Sequence, residues 1–501
     1  MKRLFVSFLS LSLITVSCSL FQPTVTPTPP SNPTDIFDTP WEDRSPFKAG
    51  LVPSEQSVLD ELPGASVYHL EFNIAEDLYH IMGTEKTRYT NMEETALDAV
   101  QFRLFPNILG GEMTVSNVKV DEQSVTPEYE LEDSLLIVPL PESLAPEQSV
   151  TLSMDFAVTV PQSVDLNYGV LAYFEDVLTL AHAYPMIAVY DDEGWNAEIP
   201  PQSGDVTYAD ASFFLVKVTA PKEVTLVTSG QRVSSGGDNQ VQTLSVVSGP
   251  ARDFYLVASP NYEEVSQTFG EVTIHSYAPK EFKKGAQFAL DVAARAIEDF
   301  STRYARFPYA EFDIVATPTL ALGIEYPGMI AITSRIYDVD QNSRGAPGSV
   351  YMESTIAHEV GHQWFYNLVG DDQLDDPWLD ESLTQFITLQ YYADEYGAEG
   401  EQGFRESLEG RWESVGREDI PIGLPVAEYS GQEYSGIVYG RGPLFFVALK
   451  EEMGTETFDA FLKEYTETLS WGIATPEFLQ SLAEKRCSCD LDTIFKEWVY
   501  P

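Results

Sequence analysis

Cysteine is nearly missing from this chain. Only Cys18, Cys487 and Cys489 occur in 501 residues, too few for a disulfide framework. Cys487 and Cys489, one residue apart, either form a local bridge or stay free, and their distance in sequence from the histidines gives no reason to count them as metal ligands. Basic residues are scarce too: 29 Lys and Arg stand against 78 Asp and Glu, a net charge of −49. That balance excludes nucleic acid and an anionic membrane surface as partners. The acidic residues are spread along the chain and not gathered in a tail, so they make a solvated, self-repelling surface. No second hydrophobic spanning segment follows the N-terminal one, and no internal repeat is evident. What is present is an ordinary apolar fraction, 44%, and enough length for two or three domains with cores of their own.

The N-terminus has the form of a targeting signal. Lys2 and Arg3 precede an apolar stretch, Leu4 to Val16, too short for a stable membrane anchor. Ser17-Cys18 then resembles a bacterial lipobox, with Thr15 where Leu is commoner, which makes Cys18 a candidate lipidated N-terminus. A plain secretory signal is the alternative, and either places the protein outside the cytoplasm. Residues 19–49, with Gln22-Pro23-Thr24-Val25-Thr26-Pro27-Thr28-Pro29-Pro30, are rich in Pro and Thr and are expected to form an extended tether.

From 50 to 270 short alternating runs recur. Ser134-Leu135-Leu136-Ile137-Val138, Ser149–Met154 and Ser212–Val218 are examples, punctuated by Gly, Pro, Asp and Asn. They predict an antiparallel β-domain. From 271 to 501 the period lengthens. Phe282–Tyr304 predicts an amphipathic helix with Ala289, Val292, Ala293, Ala296 and Phe300 on one side. Two strands are expected at Asp313–Ala316 and Met329–Ile332, and the remainder is mainly helical. The fold class expected is therefore α+β and multidomain.

Two of the six histidines fall in His358-Glu359-Val360-Gly361-His362. Four residues is close to one helical turn, so both imidazoles face the same way. One Zn²⁺ can accept both, with a carboxylate beside them. Glu381, in Trp378-Leu379-Asp380-Glu381-Ser382, is the candidate third ligand. Ser354 and Thr355 are candidate caps for the first helix and Gly370 its stop. Asp376, Pro377 and Gly397 bound the second. Three ligands leave a fourth position open, the mark of a catalytic zinc, one per chain. Glu359 is placed to take a proton from the activated water and pass it to the leaving amine.

These motifs together resemble the zinc aminopeptidases typified by aminopeptidase N, whose catalytic domain is thermolysin-like. His358–Phe365 is similar to the family's HExxH-Gln-Trp-Phe, with Gly361 where Ala is usual. Trp378–Glu381 looks like its Trp-Leu-Asn/Asp-Glu. Leu322-Gly323-Ile324-Glu325-Tyr326 sits where the family carries Gly-Ala-Met-Glu-Asn, and Tyr439-Gly440-Arg441-Gly442 is similar to Tyr-x-Lys-Gly. Ala183–Met186 and Asp191-Asp192-Glu193-Gly194-Trp195 look like its N-terminal domain. The chain stops near Trp498, without the helical domain of larger members, which suggests a more open cleft.

The resemblance implies a hydrolase acting on peptides with a free N-terminus, at a zinc held by His358, His362 and Glu381. Glu325 would hold the substrate amine, and Gly323 and Gly328 would allow close backbone approach. Tyr439 would steady the oxyanion, with Tyr434 a second candidate. Arg441 is expected to be a structural ion-pair partner. Asp380 is expected either to orient a zinc-bound histidine or to face solvent. Two alternatives remain open: an endopeptidase using the same zinc, and a surface binding module on an inactive scaffold.

Overall fold

The computed structural model describes residues 35–191, 193–201, 204–343 and 346–500. Cys18, its signal segment and Asp192 lie outside them. The chain divides into two units, Met1–Thr39 and Pro40–Pro501. Of the first, the described residues hold one 3₁₀ turn, Ile36–Asp38, with Asp35 accepting from the Phe37 amide. Everything below concerns the second.

The extended tether expected through residue 49 stops short of that boundary. Trp41 stacks on His69 at 4.1 Å, and Phe47, buried in a 3₁₀ segment Ser45–Gly50, packs on Phe213 at 4.8 Å. Two large aromatic groups in a proline-rich stretch supply apolar area that the prolines and threonines lack.

An eight-stranded sheet forms the body of the β-domain, and two four-stranded sheets accompany it. The alternating runs become strands Leu135–Leu144, Ser149–Thr159 and Ser212–Pro221. Leu70, Phe72, Val100, Phe102, Leu136, Leu152, Phe156 and Phe214 share its core. Pairing is antiparallel except where Val67–Ile74 runs parallel to Ser212–Pro221, a non-local choice that alternation does not encode.

The predicted boundary at residue 270 cuts a hairpin in two. Tyr262–Phe269 and Val272–Pro279 pair with each other, and the second strand continues in parallel with Glu311–Thr317. Both therefore belong to a separate, five-stranded sheet, which ends with Met329–Thr333 and the edge strand Gly323–Tyr326. The parallel step requires a crossover, and helix α1, Lys283–Arg303, provides it with the expected alanine-rich face buried.

Helix α2, Gly348–Gly361, and helix α3, Leu383–Ser414, carry the histidine motif and follow the third ligand. Glu353 on α2 accepts from Arg295 of α1 and from the Tyr391 hydroxyl of α3, each at 3.0 Å. Gly361 is where α2 and α3 touch: a Cβ there would lie 2.8 Å from Thr384 Cγ2, which accounts for glycine rather than alanine. Short helices α4, Gly431–Gly436, and α5, Gly442–Met453, follow. Cys487 and Cys489 are joined as a disulfide at the end of helix Pro476–Cys487.

Candidate active site

Helix α2 starts earlier and ends earlier than its sequence signals suggest. Ser354 lies inside it, with its hydroxyl donating to the Tyr351 carbonyl at 3.0 Å, and the helix ends at Gly361 instead of near Gly370. The chain leaves through wider bonds, such as Asn367 N to His362 O at 3.0 Å. That exit turns the Phe365 carbonyl back toward His362, whose Nδ1 donates to it at 2.9 Å. The Nε2 lone pair is thereby fixed for a metal. His358 Nδ1 is buried without a hydrogen-bond partner.

Glu381 arrives on a π-helical turn, Trp378–Ser382, before α3 proper. The wider turn carries Glu381 inward. Its Oε2 lies 3.1 Å from His358 Nε2 and 3.4 Å from His362 Nε2, and the two nitrogens are 3.2 Å apart. A tetrahedral zinc with bonds near 2.0–2.1 Å needs donors about 3.3 Å apart. The triangle fits. Two imidazole nitrogens this close, facing each other and a carboxylate, are an arrangement that a cation between them would satisfy.

Protonation leads to the same point. Burial drives the His358 imidazole down to about 4, the neutral state a ligand needs. Burial works against a charge on His362 as well, yet Glu325 and Glu381 hold it well above its ordinary value. Burial would lift Glu381, but His362 and the hydrogen bonds of both histidines take it well below the usual carboxylate range. The proton on His362 occupies the role that a metal cation would take over.

Around this triangle stand more buried carboxylates. Glu325, Glu359 and His362 offer atoms within 4.8 Å of one another. Glu359 is pushed well above its usual range by burial and then by the charge of Glu325. Glu325 is raised by burial and by Glu381, while His362 opposes. Gly323 permits this grouping, since a Cβ there would overlap the Glu359 carboxylate. Gly328, at φ +70°, forms the hairpin turn beside Glu325 and donates its amide to Gln363 Oε1 at 2.9 Å, while Gln363 Nε2 reaches the Tyr326 carbonyl at 3.0 Å. The glutamine after the second histidine thus fastens the strand of Glu325 to α2.

Asp380 takes neither of its expected roles. It is fully buried, and its Oδ2 accepts from Gln373 Nε2 at 2.7 Å; the same nitrogen donates to Glu325 Oε1 at 3.0 Å. Gln373, which the motifs did not single out, therefore positions the edge-strand glutamate. Asp205 was missed as well. It comes from the β-domain, and burial followed by Glu325, Glu381 and Asp380 raises its carboxyl well above the usual range. Nothing local in Gly204-Asp205-Val206 marks it. Tyr439, on a second π-helical turn, Ile437–Arg441, donates its hydroxyl to Glu381 Oε1. Tyr434 packs against it at 5.6 Å between ring centroids. Arg441 is structural as expected, bonded to Asp419 and to the Ile420 and Trp498 carbonyls.

Asp205, Glu325, His358, Glu359, Glu381 and Tyr439 help to line a cleft of about 1450 Å³.

Comparison with known proteins agrees with this geometry. Residues 288–498 match the peptidase family M1 domain. Probable aminopeptidase 2 of Sulfurisphaera tokodaii is 24% identical over 351 residues, covering 67% of this chain and 42% of its own. Aminopeptidase N of Lactobacillus helveticus is 27% identical over 260 residues, covering 49% and 30%. The chain thus spans less than half the length of these curated relatives. A solved M1 zinc metallopeptidase from Deinococcus radiodurans superposes with a TM-score of 0.63 at 18% identity, over 87% of this chain and 93% of that one. That likeness shows the two-domain fold.

Proposed function

We infer that this protein, whose residues 288–498 form a peptidase family M1 domain, is a zinc-dependent aminopeptidase that removes N-terminal residues from peptides. The observation that carries the exopeptidase reading is Glu325. Its carboxylate is buried on an edge strand beside Glu359, and among the described residues the cationic partner near it is His362, which would give up its charge once a metal binds. A free α-amine supplies the missing positive charge.

His358, His362 and Glu381 would hold Zn²⁺, which when bound would supply an acidified water and Lewis-acid polarisation of a peptide carbonyl. The chain's own groups do the rest. Glu325 fixes the amine and so places the first peptide bond over the ligand triangle. The amine's positive charge relieves the repulsion between Glu325 and Glu359, which lets Glu359 exist as a base. Glu359 accepts the proton of the attacking water and returns it to the departing nitrogen. Tyr439 donates to Glu381 and steadies that ligand's orientation. Its hydroxyl is also near enough to the ligands to meet a developing oxyanion.

The N-terminal signal and Cys18, together with the bridged Cys487–Cys489, support a location outside the cytoplasm with a lipid anchor. Metabolic labelling with a fatty acid, lost in Cys18→Ala, tests the anchor.

The activity is tested with aminoacyl reporters bearing a free or an acetylated amine. Free-amine reporters are cleaved and acetylated ones are not. Glu325→Gln lowers kcat/KM for the free amine by about 100-fold, in line with the 2–5 kcal/mol cost of truncating one partner of a buried charge pair. Equal cleavage of acetylated peptides would establish an endopeptidase instead.

A further inference from the structure

The geometry points to Arg411 as the group that receives the free C-terminal carboxylate of a short peptide whose amine is held at Glu325. This rests on the aminopeptidase reading and adds the class of substrate: short peptides with both ends free.

Arg411 lies on α3 beyond its break at Gly397, and it lines the same cleft as the zinc ligands. Two arginines line that cleft. Arg335 is spoken for, donating to Thr333 Oγ1 at 3.0 Å and to the Leu320 carbonyl. The Arg411 guanidinium has no ion pair and no hydrogen bond among the described residues; its contact is the face of Tyr439, with Cζ 5.8 Å from the ring centroid. Arginines nearby in the chain behave differently. Arg405 pairs with Glu409, and Arg417 with Glu409 and Glu413. Other arginines also lack an ion pair, but Arg103 and Arg252, buried as they are, donate to backbone carbonyls instead, and Arg411 does neither. This one is partly buried, which penalises its charge, while Tyr439 and Glu381 support it. A desolvated guanidinium lacking a partner is costly, and a carboxylate answers it with two parallel hydrogen bonds.

Position matters as much as charge. The Glu325 carboxylate sits against Glu359 and His362. Tyr439 stands on the other side of the ligand triangle, bonded to Glu381 and with its ring 6.1 Å from that of His358. Arg411 lies one ring further on. The cleft is therefore negative at the amine end and positive past the scissile bond, the polarity of a zwitterionic peptide bound by both termini. The guanidinium is 5.8 Å from the Tyr439 ring, which is 6.1 Å from that of His358, and each residue of an extended chain advances about 3.3–3.6 Å, so a carboxylate that reaches Arg411 belongs to a peptide only a few residues long. In longer substrates the carboxylate passes beyond the guanidinium and the contact is lost.

The test compares kcat/KM for Leu-Gly-Gly with a free C-terminus and for the same tripeptide as its C-terminal amide. The wild-type enzyme is expected to prefer the acid by about tenfold, chiefly through KM. In Arg411→Gln the ratio falls to near one because KM for the acid rises, and Arg411→Lys recovers part of it. An eight-residue peptide shows no sensitivity to the amide cap. A wild-type ratio of one, or a tenfold ratio kept in Arg411→Gln, overturns the assignment. N-acetylated Leu-Gly-Gly separates the two levels: its efficient cleavage overturns the amine anchor at Glu325, while the acid-to-amide ratio still reports on Arg411.

Discussion

Glu85 and Glu359 are both buried carboxyls, and burial raises both. Glu85 lies in the eight-stranded sheet of the β-domain, opposite Leu70. It accepts one hydrogen bond, from Thr87 Oγ1 at 2.7 Å, and its other oxygen has no partner. Burial pushes it up to about 8, so it is protonated at neutral pH. Glu359 has no such isolation. Glu325, Glu381 and His362 all act on it, and a cation belongs at the centre of that group. A raised carboxyl alone therefore does not mark a site. Several carboxyls converging with histidines on one point do.

The sharpest way to break this comparison is Glu359→Gln. Turnover is expected to fall by about 10²–10⁴, the range for losing a general base, while metal analysis still finds one zinc per chain. Retained activity would place Glu359 in the same class as Glu85.

The corresponding change in the β-domain, Glu85→Gln, should act on stability and leave chemistry alone. Burial pushes the folded carboxyl up to about 8, against an ordinary value of 4.5. Below pH 4.5 both states are protonated and no penalty exists. As pH rises from about 4.5 to 8 the unfolded chain releases its proton first, so stability falls across that window and is level above it. The glutamine removes this loss and raises stability at pH 8 by up to about 5 kcal/mol. Urea melts at pH 4 and pH 8 measure it, and an equal effect at both pH values would refute a neutral buried Glu85.

Metal removal reverses the emphasis. Chelation leaves the carboxylate cluster without its cation and lowers stability by about 3–4 kcal/mol when free zinc had stood at 100 to 1,000 times its dissociation constant. Thermal melts with and without chelator should differ for the wild type and coincide for His362→Ala. The smallest effect is expected for Tyr439→Phe. Because its hydroxyl is turned to Glu381, about tenfold is expected to be lost in kcat/KM. A loss of 10²–10³, the scale for an oxyanion donor, would mean that the hydroxyl turns to the substrate during reaction.

Much of the site was legible along the chain. His358 and His362 share a face because helical geometry is local, and Glu381 was reachable because it follows on the next helical element. Gly361 and Arg441 carried local signals that the structure explains. The strand of Glu325 was legible through the resemblance, but not that Gly323 makes room there for the Glu359 carboxylate. Helix ends were less legible. Gly370 looked like a stop, but the wide bonds after Gly361 that orient His362 depend on what packs behind Phe365.

The sequence by itself determined the candidate metal ligands: a spacing of four on a helix and a carboxylate one element later are properties of the local period. Only the tertiary structure decided what surrounds it. Gln373 joining Glu325 to Asp380, Asp205 reaching in from the β-domain, the hairpin Tyr262–Pro279 belonging to the five-stranded sheet, and Arg411 left without a carboxylate all depend on residues far apart in the chain. Their meeting is set by which strand edges and helix faces pack together, and the periodicity of a single element carries no record of that choice.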